Sequence, residues 1–131
     1  MREESYPPIF IPGNVPSSKN SRIWTGRRSI KSKLCQTYIT NHAWLFAINK
    51  PKFISMLDGK TRPYLVGFHL VRDSNRRFDF CNVIQILQDM MVKYEWIIDD
   101  NCSIMFPVPL SINDVLFSIN KDNPGVFISV I

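Results

Sequence analysis

Acidic residues are absent between Ser5 and Leu57, a stretch of the chain that contains eight lysines and arginines. Residues 58–131 instead carry nine acidic and seven basic residues, although the whole chain has a net charge of +5. A basic half that meets a polyanion and an acidic half that holds a cation would together explain this asymmetry. The alternative for the basic half is a solvated charged face with no partner.

Cysteine is scarce, and long apolar runs are missing. Cys35, Cys81 and Cys102 are odd in number and widely spaced, so they predict neither a disulfide framework nor a CxxC-type zinc site. This usage favours a reducing, cytoplasmic setting. No apolar run approaches the ~18 residues that cross a bilayer, and the start of the chain lacks the pattern of a signal peptide. We therefore expect no association with a membrane.

The 131 residues, of which 45% are apolar, predict one folded domain spanning residues 1–131. Apolar segments bounded by proline, glycine or asparagine predict strands at residues 6–11, 64–71, 102–106, 112–119 and 126–131. An apolar stripe through Leu34 and Tyr38 predicts a helix over residues 32–47 that ends before Pro51. We expect an α+β fold in which two main helices pack on a small mixed sheet.

The helix that follows Arg77 has the clearest pattern. At about 100° per residue, its apolar side chains fall on one broad arc, formed by Phe80, Val83, Ile84, Ile86, Leu87, Met90, Met91 and Tyr94. Its polar side chains fall on a narrow arc, formed by Asp79, Asn82, Gln85, Asp89 and Lys93. The pattern predicts an amphipathic helix that packs on the sheet and exposes a strip of hydrogen-bonding groups.

Carboxylates stand at both ends of this helix, and two arginines precede it. Mg²⁺ usually takes one or two protein carboxylates, with waters and substrate phosphate completing its coordination. We expect Asp79 and Asp100 to converge on such an ion, and Arg76 and Arg77 to clamp a phosphate beside it. The alternative is that these aspartates serve only as helix caps and turn formers.

The amino-terminal loop combines cations with an aromatic residue, Trp24. This combination suits contacts with phosphates and with an exposed base, although a single tryptophan in a loop also serves to pin the loop to the core. The residues expected to make such contacts in this region are Lys19, Asn20, Arg22, Arg27, Arg28 and Lys31.

Several separated motifs resemble those of the RusA-like Holliday junction resolvases. Residues 76–82 read Arg-Arg-Phe-Asp-Phe-Cys-Asn, Asp89 follows Asn82 by seven residues, and Asp99-Asp100 closes the pattern. The family carries an arginine-rich lead-in, Asp-x-Asp-Asn, a lysine three residues later, a further aspartate and a closing Asp-Asp. Residues 16–20, Pro-Ser-Ser-Lys-Asn, resemble its Pro-Pro-Ser-x-Asn loop. The resemblance spans about residues 6–106.

The resemblance implies a small homodimeric endonuclease that cuts opposed strands of four-way DNA junctions with Mg²⁺ or Mn²⁺ and no small-molecule cofactor. It assigns catalytic and metal-binding roles to Asp79 and Asp100. Asp99 and Asp89 match further acids of the motif, Asp99 as a catalytic and Asp89 as a metal-binding candidate. It also implies a role in recombination, replication or repair in the cytoplasm of a bacterial cell, encoded by the host or by a phage.

Two positions depart from the family pattern. Cys81 stands where a second aspartate is expected, and a thiolate is a poor ligand for Mg²⁺. Gln85 stands where the lysine is expected, which removes a charge that stabilises a transition state. Asp89 or Asp99 could replace the metal ligand that is missing at position 81. The cation that is missing at position 85 could be replaced by Arg76, Arg77 or Lys93. The alternative is a branched-DNA-binding protein without catalytic activity on the same fold.

Overall fold

The secondary structure comes from a computed structural model that describes residues 6–17, 22–24, 29–31 and 33–131. The two helices of this part of the chain are α1 (Lys33–Met56) and α2 (Phe80–Lys93). Its strands are β1 (Ile9–Pro12), β2 (Arg22–Trp24), β3 (Ser29–Lys31), β4 (Tyr64–Arg72), β5 (Met105–Pro109), β6 (Phe117–Ile119) and β7 (Gly125–Val130). Neither described helix combines the length and apolarity needed to span a membrane.

Five of the strands form one mixed sheet in the order β1-β7-β4-β5, with β6 pairing to the second half of β4. β7 is antiparallel to both of its neighbours, whereas β5 and β6 run parallel to β4. Helix α2 forms the crossover between the parallel strands β4 and β5. Its first residue therefore lies near the end of β4 and its last near the beginning of β5. The predicted α+β class, with two helices and a mixed sheet, is confirmed.

Helix α2 forms as its periodicity predicts. The apolar arc is buried at Val83, Ile84, Ile86, Leu87, Met90 and Met91. On the polar arc, Gln85 and Lys93 are exposed, while Asn82 and Asp89 are half-buried. Burial of one continuous apolar face against the sheet is the main stabilising term for such a helix.

Helix α1 extends past Pro51 to Met56, so the prediction that it ends before this proline was wrong. Proline removes one backbone hydrogen bond and disfavours a helix interior by about 3 kcal/mol. Phe53 and Met56 are nevertheless buried in the core, and their burial offsets that cost. The predicted stripe was also wrong at Leu34, which is exposed; Cys35 faces the core instead.

The strand boundaries differ from their predictions where prolines and turns occur. β5 starts at Met105 and includes Pro107 and Pro109, residues expected to stop it. Prolines are tolerated there because β5 is an edge strand and needs no second hydrogen-bonding partner. Asn113 and Asp114 adopt positive φ angles of 53° and 63°, and this turn shortens the strand predicted over residues 112–119 to β6. The β2–β3 hairpin was not predicted.

Trp96 lies at the centre of the core between the helices. It is 1% exposed, and its ring stacks on Phe53 and tilts against Phe46, with centroids 4.8 and 5.1 Å away. Its indole N–H donates to the carbonyl of Phe46 at 2.8 Å. These contacts join α1 to the segment that follows α2, and so fix the carboxyl end of α2 relative to α1.

Candidate functional site

A cleft of about 830 Å³ opens at the end of β4, beside the start of α2. Its walls come from the amino-terminal loop at residues 14–17, from the segment between β4 and α2, and from the turn before β7. The basic residues that line it are Arg72, Arg76, Arg77 and Lys121, and the acidic residues are Asp73 and Asp79. The lining thus has two more positive than negative charges, which suits an anionic ligand.

The amino-terminal loop is tied directly to the end of β4. Arg72 donates from Nη1 to the carbonyl of Val15 at 2.7 Å, and the Asn14 side-chain oxygen accepts from the backbone N–H of Asp73 at 3.1 Å. The Arg72 guanidinium also lies 4.8 Å from the ring centre of Phe78. Burial lowers the pKa of Arg72, and the neighbouring Asp73 partly opposes that shift. Arg72 therefore positions the cleft walls and is largely occupied by that role.

Arg76 and Arg77 lie on the rim of the cleft, and their guanidinium groups, unlike that of Arg72, are not occupied by contacts within the described part of the protein. Both side chains are exposed. Neither guanidinium forms an ion pair or a hydrogen bond with another described residue; the ion pair found in the described ranges joins Lys50 to Glu95 at 3.4 Å. Both cations are consequently available to a phosphate from outside the protein.

Asp79 presents its carboxylate in the same cleft. Its backbone is extended (φ −101°, ψ 125°) at the position that precedes α2, yet its side chain makes no capping hydrogen bond to the helix. Its carboxylate instead accepts from the Asn82 amide at 3.1 Å. An aspartate at this position usually caps the helix, but Asp79 does not do so through its side chain. Its exposed carboxylate therefore lies in the cleft together with Arg76 and Arg77.

The other acids of the motif lie at the opposite end of α2. Asp89 follows Asp79 by ten residues along the helix, a separation of about 15 Å at 1.5 Å per residue. The pKa of Asp100 is raised by partial burial, by its hydrogen bond with Asp99, and by the charges of Asp99 and Asp89. Asp89, Asp99 and Asp100 therefore influence one another, and Asp79 does not belong to this group.

That Asp79 and Asp100 bind one cation stays a prediction. Within a single chain, the β4–α2–β5 crossover places the two ends of α2 at opposite ends of the parallel strands. In the ranges that the structure describes, no group of three or more His, Cys, Asp or Glu side chains is arranged to hold a metal ion. Motif spacing along the sequence gave no information about this separation.

Cys81 and Gln85 both lie within α2. The helix begins at Phe80, so the expectation that positions 79 and 81 point the same way along an extended segment does not apply. Cys81 is exposed and forms no disulfide. Gln85 donates from its amide to the Asp89 carboxylate at 3.0 Å, so it satisfies an acid rather than facing the cleft cations.

The basic residues predicted in the amino-terminal region are only partly described. Arg22 and Lys31 occupy paired positions on the β2–β3 hairpin. Lys19, Asn20, Arg27 and Arg28 lie outside the described residues. Lys121 was missed, because a single lysine beside a turn carries no sequence signal. It reaches the cleft because β1 pairs with β7, which sets the turn before β7 beside the amino-terminal loop.

The acid group at the far end of α2 gives a pH-dependent prediction. Since the folded-state pKa of Asp100 is raised, its ionisation disfavours the fold as pH rises through that pKa. We expect Asp100→Asn to increase the free energy of unfolding at pH 7 and to leave it unchanged near pH 3. The carboxylate is only partly buried, so solvent screening keeps the gain below about 0.5 kcal/mol. Urea unfolding at both pH values measures it.

Asp99 provides a control of opposite sign. Hydrogen bonds from the Asn101 side chain and the Asp100 backbone N–H, 2.7 and 2.8 Å long, lower the pKa of Asp99. Its ionised form therefore favours the fold, and that contribution is lost as pH falls through the lowered pKa. Asp99→Asn should reduce stability at pH 7. Changes of the same sign in both variants would contradict the assigned contacts.

No protein-family model and no curated protein sequence matches this chain.

Proposed function

We propose that the protein is a metal-dependent endonuclease that cuts branched DNA, such as a four-way junction, by hydrolysing phosphodiester bonds. The observation that carries this proposal is the composition of the cleft. It combines Arg76, Arg77 and Asp79 of one motif with Pro16 and Ser17 of another, some sixty residues away in sequence. Both motifs underlie the resemblance to RusA-like resolvases, and the fold brings them to one surface.

Phosphate recognition in this cleft would rest on the two rim arginines. Each guanidinium presents a planar set of donors that matches two phosphate oxygens at once. The amino-terminal loop, held by Arg72 and Asn14, forms the facing wall. A DNA backbone in the cleft would thus be held next to the Asp79 carboxylate.

The donors of this chain suit Mg²⁺ or Mn²⁺ in kind, because they are carboxylate oxygens. They are divided between Asp79 at one end of α2 and the pair Asp89 and Asp100 at the other. When bound, such an ion polarises the phosphate and activates a water. We propose that two copies of the chain complete the site, with Asp79 of one copy joined by the partner subunit's Asp100 and the partner subunit's Asp89.

A synthetic four-way junction tests the proposal directly. We expect paired nicks in opposed strands when Mg²⁺ or Mn²⁺ is present and none with EDTA. Absence of any DNA affinity at low salt would refute both nucleic-acid functions considered for the chain.

A second candidate, a binding protein that does not cut, is favoured by the contact between Gln85 and Asp89 and by the cysteine at position 81. It retains the cationic cleft but lacks the expected ligand and cation. This candidate predicts junction binding without cutting at any metal concentration. Activity that appears only after Cys81→Asp is combined with Gln85→Lys would establish it over the nuclease.

The role of the rim arginines can be measured separately from cutting. We expect Arg76→Ala combined with Arg77→Ala to weaken junction binding and to reduce the slope of log affinity against log salt by about 2, because two phosphate contacts are lost. The matched control is Lys60→Ala with Arg62→Ala. These exposed cations precede β4, at the opposite end of that strand from the cleft. Equal slopes for the two double variants would remove the arginines from the interface.

A further inference from the structure

A second, more apolar cleft of about 640 Å³ lies beside the first. The segment from Arg76 to Asp79 separates the two clefts and contributes to the lining of both. The other apolar residues that line the second cleft are Leu70, Phe80, Pro109, Leu116, Phe117 and Ile119. The proposed function uses the first cleft only, so this second one has no role there.

Polar contacts of His69 support the apolar wall. His69 is 2% exposed and contacts the carbonyl of Leu110 at 2.9 Å and the hydroxyl of Ser118 at 3.0 Å. These contacts tie Leu110, which follows β5, and Ser118 of β6 to β4. On the front, Phe78 meets Phe117 edge to face with centroids 5.1 Å apart. The wall is therefore fixed, although Leu116, Phe117 and Ile119 are between 49% and 57% exposed.

We infer that this apolar cleft takes a nucleobase that is unstacked from the DNA at the branch point. The inference rests on the proposed function. A base carries an apolar face that stacks on aromatic and aliphatic walls without regard to sequence. Its own phosphates would then lie against Arg76 and Arg77 on the shared rim. The cleft volume lies within the range of roughly 300–1,000 Å³ that is usual for small-ligand sites.

The charge of the rim favours a nucleotide as the occupant. The rim carries Arg76 and Arg77 against the single carboxylate of Asp79, so it is cationic. A nucleotide brings a negative charge to this rim. Unstacking also costs least for a base that is not paired, as at a branch point.

The test compares two four-way junctions that differ at one unpaired position at the branch point, which holds either a 2-aminopurine base or an abasic site. We expect the junction with the base to bind about tenfold more tightly, the amount that one stacked base contributes. Leu116→Ser should reduce this ratio to about threefold or less. The matched control is Val115→Ser, because Val115 is similarly exposed but does not line the cleft; it should leave the ratio unchanged.

Thermal unfolding and sedimentation of each variant separate the outcomes. Binding of both junctions with equal affinity would overturn the inference and leave the proposed function standing. Binding of neither would overturn both. A ratio that Leu116→Ser leaves unchanged, together with a change in the sedimenting mass, would show that another copy covers the cleft and would likewise overturn the inference.

Discussion

Replacing Asp79 by asparagine is expected to abolish metal-dependent cutting of a four-way junction while the junction still binds. Asp79 is the carboxylate that the fold places beside the cationic rim of the cleft. Loss of a metal-binding oxygen removes several kcal/mol of charge stabilisation in the transition state, which corresponds to a rate reduction of roughly 10³-fold. Binding should stay within about twofold or tighten, because the substitution removes a negative charge from a surface that meets phosphates.

Single-turnover cutting and equilibrium binding, measured on the same junction, check both halves of this expectation. Asp58→Asn is the matched control, since it makes the same charge change at an exposed turn after α1. The asparagine at position 79 can still contact Asn82, so the start of α2 should be preserved. Cutting at the wild-type rate by Asp79→Asn would remove this residue from the mechanism. Loss of binding would instead point to a damaged cleft.

The parts of the fold that depend on local pattern could be predicted from the sequence. Helix α2 follows directly from apolar residues that repeat at the helical period, and its buried set includes most of the predicted arc. The strands β4 and β7 are continuous apolar segments bounded by turns, and their positions match the predictions within one residue at each end. The two rim arginines were found because a short motif placed them immediately before a helix.

The rest depends on contacts between distant segments, which a single sequence does not contain. Helix α1 continues past Pro51 because residues beyond it are buried against the core. Arg72 was not singled out from the sequence, but it orders the amino-terminal loop through Val15. The acids were expected to meet because carboxylates at both ends of the helix, with two arginines before it, suit Mg²⁺ and a phosphate. The crossover through α2 separates them within one chain.

The separation of the acids leads to a complementation experiment between subunits. Asp79→Asn and Asp100→Asn should each be inactive alone. A 1:1 mixture that has exchanged subunits should recover about one quarter of wild-type nicking. Half of the dimers in such a mixture contain one copy of each variant, and one of their two shared sites then has both carboxylates intact. If each site lay within one chain, every site in the mixture would be damaged, and no activity would return.

A reciprocal mixture removes the remaining ambiguity. The variant that carries both Asp79→Asn and Asp100→Asn is mixed with wild type in equal amounts. If the sites are shared between subunits, both sites of a mixed dimer are damaged, so only wild-type dimers act and about one quarter of the wild-type activity remains. If each site lies within one chain, the wild-type copy of a mixed dimer still acts, and about one half of the wild-type activity remains. Mixing Asp79→Asn with Asp79→Ala gives the control that should stay inactive. Half of the wild-type activity in the reciprocal mixture, together with no recovery of activity in the first mixture, would place the whole site in one chain. That result would refute the proposed division of the site between subunits.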